Sequence, residues 1–97
     1  MRIIQIRIHG KVQGVHFREG TKGVADLLKI RGWIRNEEDG TVFLEVHGEE
    51  PALDSFKEWC HEGTDRAKVE KVEWVELELE AGKHTHNLPY INFQILR

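Results

Sequence analysis

The chain has 97 residues, 39% hydrophobic and 32% charged, which suits one small globular domain over 1–97 and leaves no room for a second. Its net charge of −3, from 14 Lys and Arg against 17 Asp and Glu, argues against a general nucleic-acid binder, which needs a basic excess to displace counterions from phosphates. The single cysteine, Cys60, cannot form an internal disulfide, Met1-Arg2-Ile3-Ile4-Gln5 is too polar for a signal-peptide core, and no apolar run nears the ~18 residues that cross a bilayer. The expectation is a soluble, cytoplasmic, monomeric protein.

The first segment alternates, with Ile4, Ile6 and Ile8 on one face and Gln5, Arg7 and His9 on the other. Period two with β-branched residues predicts a half-buried strand, ending at Gly10. Residues 10–17 read as a loop. Val24, Leu27 and Leu28 then fall at helical spacing with Ala25 beside them, which predicts a helix over 19–30. Trp33-Ile34-Arg35-Asn36 reads as a short strand. Glu37-Glu38-Asp39-Gly40 is a hairpin turn, because Asp-Gly supplies the positive φ such turns need. The returning strand sets Val42, Leu44 and Val46 on one face.

Pro51 suits the first turn of a second helix, where a missing N–H costs nothing. Its apolar stripe is Leu53, Phe56, Trp59 and Cys60, and Gly63 is its stop. A strand over 68–80 follows, with Val75, Leu77 and Leu79 alternating with Glu76, Glu78 and Glu80. Residues 81–89 form a loop, and Ile91, Phe93 and Ile95 mark a last edge strand over 90–96. The order β-α-β-β-α-β, with one-sided helices, predicts an α+β ferredoxin-like sandwich: an antiparallel sheet with two helices on one face.

Gly10-Lys11-Val12-Gln13-Gly14-Val15-His16-Phe17-Arg18 joins a strand to a helix N-terminus. The first N–H groups of a helix have no intrahelical partner, and its dipole favours negative charge there. A glycine lets successive N–H groups curl into a nest, and an arginine offers a planar fork to two phosphate oxygens. The pattern is not a Walker A loop. Taken alone, it fits a simple strand–helix turn as well as an anion site.

Gly10-x-Val12-Gln13-Gly14-Val15-x-Phe17-Arg18, then Gly32-Trp33-Ile34-Arg35-Asn36 and Asp39-Gly40, closely resembles the acylphosphatase family. The stretch Gly63…Ala67-Lys68-Val69 is similar to that family's entry to its fourth strand. The resemblance spans essentially the whole chain and implies the same fold. It implies that Arg18 and Asn36 are catalytic, Arg18 binding the phosphoryl group and Asn36 holding the attacking water. It implies substrate binding by Gln13, Gly14, Val15, His16, Phe17 and Arg18. The implied substrates are small acyl phosphates such as acetyl phosphate, carbamoyl phosphate or 1,3-bisphosphoglycerate, with no metal and no cofactor.

Three places depart from the family pattern. Lys29 stands where the family usually has a glycine ending the first helix, so it either turns left-handed or the helix ends differently. Thr64 replaces the usual proline. Glu19-Gly20 follows Arg18 where bulkier residues are common, and Glu19 sets a carboxylate near the phosphate.

Other residues have simpler roles. His84-Thr85-His86 lacks further ligands for a metal. His16 is expected to face solvent, Cys60 to pack in the core, and Trp33, Trp59 and Trp74 to lie in the core or on the sheet. Two other functions fit this fold. One is a binding module for phosphate or carbamoyl phosphate without turnover, like the N-terminal domain of the hydrogenase maturation carbamoyltransferase; the end of the chain at Arg97 favours the free-standing enzyme. The other is a nucleic-acid binder, which the acidic Glu76-x-Glu78-x-Glu80 opposes.

Overall fold

The computed structural model describes residues 2–77 and 92–96. Its elements are β1 (Arg2–Lys11), α1 (Phe17–Leu27), β2 (Arg31–Asn36), β3 (Val42–Gly48), α2 (Glu50–Glu62), β4 (Lys68–Leu77) and β5 (Phe93–Ile95). They form one sheet of order β4-β1-β3-β2-β5 with both helices on one face. The fold is the ferredoxin-like sandwich expected. The core lies between the layers, where Ile4, Ile6, Ile8, Ile34, Val42, Leu44 and Val46 from the sheet meet Phe17, Ala25, Leu53, Phe56 and Cys60 from the helices.

The sheet is antiparallel from β4 through β2, but β5 adds to the edge of β2 in parallel, Gly32 opposite Phe93 and Ile34 opposite Ile95. Alternation in a sequence says which residues share a face, not which strand lies alongside, so the mixed character could not be read there. The hairpin turn closes as expected. Glu37 N–H donates to Thr41 C=O at 2.9 Å, and the Asp39 carboxylate accepts from the Thr41 N–H and hydroxyl at 3.0 and 2.6 Å. Those two bonds hold the Asp39 carboxyl below its usual range.

Helix α1 begins and ends earlier than its apolar spacing suggested. Phe17 is its first buried anchor, and the buried stripe runs Phe17, Thr21, Ala25. That phase turns Leu27 outward, where it is 83% exposed, while Val24 and Leu28 pack against the core. The buried Thr21 hydroxyl is satisfied by the Phe17 carbonyl at 2.8 Å. At the far end Lys29 takes the left-handed conformation, φ 59°. Ile30 N–H reaches the Ala25 carbonyl at 2.8 Å and Lys29 N–H the Asp26 carbonyl at 3.2 Å, the two bonds of a Schellman stop. Ile30 and Ala25, the residues this motif brings together, are both buried.

Helix α2 follows its sequence signals closely. Pro51 is in the first turn, Leu53, Phe56 and Cys60 are buried, and Gly63 caps the end. On β4, Val75 pairs with Gln5 on the uncovered face and is 62% exposed. Val72 and Trp74, opposite Ile8 and Ile6, turn toward the helices instead. Trp74 meets the edge of His61 at 6.2 Å, with the Lys57 ammonium 4.8 Å over its ring. Positions 78–80 of the expected strand, the loop 81–89 with His84 and His86, and Ile91 lie outside the described residues.

Lys29 is the strained stop in an otherwise regular helix. Lys29→Gly is expected to raise stability by about 1 kcal/mol, as a higher urea midpoint at unchanged m-value.

Candidate active site

The loop between β1 and α1 is anchored by its apolar side chains. Val12 and Val15 are buried, which turns the intervening backbone toward solvent. Gly14 and His16 both have left-handed φ, 74° and 60°. Left-handed residues let successive N–H groups curl to one side. Glycine does so freely; His16, with a Cβ, is held there by its surroundings. His16 is the N-cap of α1, its carbonyl accepting from Gly20 N–H at 3.0 Å. The N–H groups of Phe17, Arg18 and Glu19 therefore have no acceptor within the helix. A cavity of about 160 Å³, lined by Val12, Gly14, His16, Phe17, Arg18 and Glu19, lies at this junction. A larger hollow of about 210 Å³ on the uncovered sheet face, between Arg7, Phe43 and Val75, lies on strand backbone already paired in the sheet.

Two ties fix the loop to the sheet on either side of β2. The Gln13 side-chain amide donates to the carbonyls of Glu37 and Thr41 at 2.8 and 2.9 Å. This fastens the loop to the hairpin that follows Asn36. At the other end, Arg18 Nη1 donates to the Leu96 carbonyl at 3.4 Å, and Leu96 N–H donates to Ile34 at 2.8 Å. The loop and Asn36 are thus held to one end of β2. Asn36 lies two residues beyond the fully buried Ile34 and shares its face, so its side chain points to the helix side of the sheet. Its Oδ1 is buried, and no donor among the described residues reaches it.

The six residues expected to bind substrate are all placed at or beside the cavity, but they offer different groups. The Gln13 amide is used in the hairpin tie, the Val15 side chain is in the core, and the Phe17 ring packs on Trp59 with centroids 5.5 Å apart. What these residues can present is backbone N–H. Arg18 presents its charged fork. The His16 side chain is solvent-facing, as expected, with Nδ1 3.7 Å from the Glu19 carboxylate. Glu19 lines the cavity as the sequence suggested. Reading the sequence missed the carbonyls of Glu37, Thr41 and Leu96, because a main-chain acceptor leaves no signature in a sequence. Among the described residues no three His, Cys, Asp or Glu side chains gather into a metal-binding group.

A strand-to-helix loop whose first helical N–H groups lack an intrahelical acceptor, followed by an arginine on a two-layer α+β frame, places the chain among ferredoxin-like domains with a helix N-terminus suited to an anion. Comparison with known proteins narrows it. The acylphosphatase family model matches residues 4–87. The acylphosphatase of Acidovorax sp. (strain JS42) is 45% identical over 71 residues, covering 73% of each chain. That of Salinibacter ruber is 49% identical over 70 residues, 72% of this chain and 74% of its own. The crystal structure of acylphosphatase from Bacillus subtilis superposes with a TM-score of 0.86 at 34% identity over 100% of both chains. The chain belongs to the acylphosphatase family, hydrolases that act on acyl phosphates.

Cys60 stands apart from this site. It is fully buried on the core face of α2, and burial pushes its thiol up to about 12, so thiolate is scarce at neutral pH. A disulfide-forming thiol reagent at pH 8 is expected to leave native protein unlabelled while urea-unfolded protein labels fully. The pH–rate profile of hydrolysis is expected to be the same for Cys60→Ala as for the wild type.

Proposed function

We propose that this chain is a single-domain acylphosphatase that hydrolyses carboxyl-phosphate anhydrides without a metal, as a cytoplasmic monomer. Acetyl phosphate, carbamoyl phosphate and 1,3-bisphosphoglycerate share the group it recognises. The loop N–H groups from Gly14 to Arg18 and the Arg18 guanidinium hold the phosphoryl oxygens. Asn36 Oδ1 accepts a hydrogen bond from the attacking water. The water oxygen bonds to phosphorus as the phosphorus–acyl oxygen bond breaks. The carboxylate departs with the electron pair, and a phosphoryl oxygen takes the proton.

The observation that carries this reading is the buried Oδ1 of Asn36, which no donor among the described residues reaches, one residue before the Glu37 carbonyl that ties down the loop. An unpaired buried acceptor costs ~1–3 kcal/mol, a cost removed when water donates to it. The chemistry asks little else of the protein. Carboxylate is a good leaving group, so the work left is to place the water and to stabilise charge on the equatorial oxygens. A positioned donor set does both. Recognition limited to the phosphoryl end supports a broad substrate range. Described helices include none long and apolar enough to cross a membrane, which is compatible with the cytoplasmic assignment.

The test is hydrolysis of benzoyl phosphate in EDTA by the wild type, Arg18→Ala and Asn36→Ala. Wild-type turnover is expected to survive chelation. Arg18→Ala should lose at least ~10²–10³-fold in kcat/KM, together with affinity for inorganic phosphate. Asn36→Ala should lose turnover while keeping phosphate affinity and full stability, since it deletes an acceptor that has no partner among the described residues. Abolition by EDTA with rescue by a divalent metal would overturn the metal-free mechanism. A folded wild type that binds phosphate without turnover would make the chain a binding module.

A further inference from the structure

The turn after α2 reaches the back of the phosphate loop. Gly63 ends the helix, and the Thr64 hydroxyl donates to the Val15 carbonyl at 2.9 Å. The Val15–His16 peptide is trans, so its C=O and N–H point in opposite directions. A donor that fixes the carbonyl from behind also fixes the direction of the His16 N–H in front. His16, unlike Thr64, lines the cavity with Gly14 and Arg18.

We propose that Thr64 is a positioning residue of the phosphate site: by holding the Val15 carbonyl, it aims the His16 N–H at the phosphoryl oxygens. This rests on the acylphosphatase reading of the same loop.

The surroundings of Thr64 fit this role. Gly20, in the second turn of α1, leaves it room: a Cβ at Gly20 would lie 2.6 Å from Thr64 Cγ2 and 3.4 Å from the nearest atom of Trp59. The second distance is ordinary contact and the first is not. Threonine is stiff about χ1, and its methyl and hydroxyl turn together. Rotation that relieved crowding at Cγ2 would swing Oγ1 away from Val15. Gly20 and Thr64 are therefore a matched pair. The two departures from the family pattern that flank the loop explain each other, the missing side chain at Gly20 making space for the branched one at Thr64. The hydroxyl supplies the restraint on Val15.

The experiment separates hydroxyl from shape. Thr64→Val keeps the branched shape and removes the donor; Thr64→Ser keeps the donor and removes the methyl. The probe is inorganic phosphate, followed by competitive inhibition of benzoyl phosphate hydrolysis and by titration of the His16 amide resonance, with circular dichroism confirming that each variant is folded.

In wild type, phosphate is expected to move the His16 amide. Thr64→Ser should bind phosphate within about twofold of wild type, because its hydroxyl can keep the bond. Thr64→Val should weaken phosphate about five- to tenfold, the effect of one misdirected donor, with a matching rise in KM and a smaller change in kcat. Gly20→Ala should behave like Thr64→Val. Adding Thr64→Ser to Gly20→Ala should restore affinity, because serine has no Cγ2 to crowd.

Thr64→Val with wild-type phosphate affinity overturns the proposal. So does a His16 amide that stays still in a wild type that binds phosphate, a result that leaves the functional reading standing. A wild type that binds no phosphate removes the functional reading, and the proposal with it.

Discussion

A loop that cradles an anion must keep several N–H groups aimed at one point and deny them partners of their own. That constraint runs against the tendency of every backbone donor to be satisfied inside a fold. In the site proposed for this chain the donors stand at the start of α1, where they have no intrahelical acceptor, and two left-handed residues, Gly14 and His16, precede them. Such a loop has few bonds of its own to stiffen it, so stiffness comes from its neighbours. Val12 and Val15 are sunk in the core, the Gln13 amide grips the β2–β3 hairpin, and Arg18 reaches the carbonyl that follows β5. The ferredoxin-like frame matters because it brings all of these to the same end of the sheet.

The same economy explains which reactive side chains stay idle. Hydrolysis of an acyl phosphate needs neither a nucleophile to split the reaction into steps nor a strong base to expel a carboxylate. Cys60 can accordingly serve as a small apolar residue under α2, and the exposed His16 side chain needs no place in the chemistry. What the reaction does need is a water held in line, and in the proposed mechanism Asn36 would hold it through an Oδ1 that no donor among the described residues reaches. A site of this kind keeps a small local instability that its substrate and solvent relieve.

Most of the fold was legible because the apolar periods were clean. Ile4, Ile6 and Ile8, then Val42, Leu44 and Val46, then Leu53, Phe56 and Cys60 are all buried as their spacing required. The phase of α1 was harder. Gly20, Thr21 and Gly23 dilute its apolar stripe, so Leu27 looked like core, while the true first anchor, Phe17, lay in what read as loop. The parallel pairing of β5 depends on which edge the returning chain reaches, and no local pattern encodes that. At the site, the arginine and the glycine loop were visible as residue types. The resemblance to a family, more than physical chemistry, singled out Asn36, since an isolated asparagine before a turn has an ordinary explanation. The main-chain carbonyls that hold Gln13 and Arg18 had no signal at all.

The departures from the family pattern separate by where they sit along α1. The helix has 11 residues and is therefore about 16 Å long. Lys29 lies past its C-terminal end, in a Schellman stop whose bonds are all formed, so its left-handed strain weighs on stability and is remote from the loop at the other end of the helix. Glu19 and Gly20 lie in the first two turns, where the helix meets both the cavity and the end of α2. Glu19 brings a charge of the wrong sign for an anion, but it also suits the positive end of the helix dipole and lies beside His16. Gly20 acts through space it leaves open. A substitution at the far end of α1 is thus free to drift within the limits of folding, whereas one at the near end has to be matched by its neighbours. Thr64, which fills the space left at Gly20 and bonds the loop in return, is such a match.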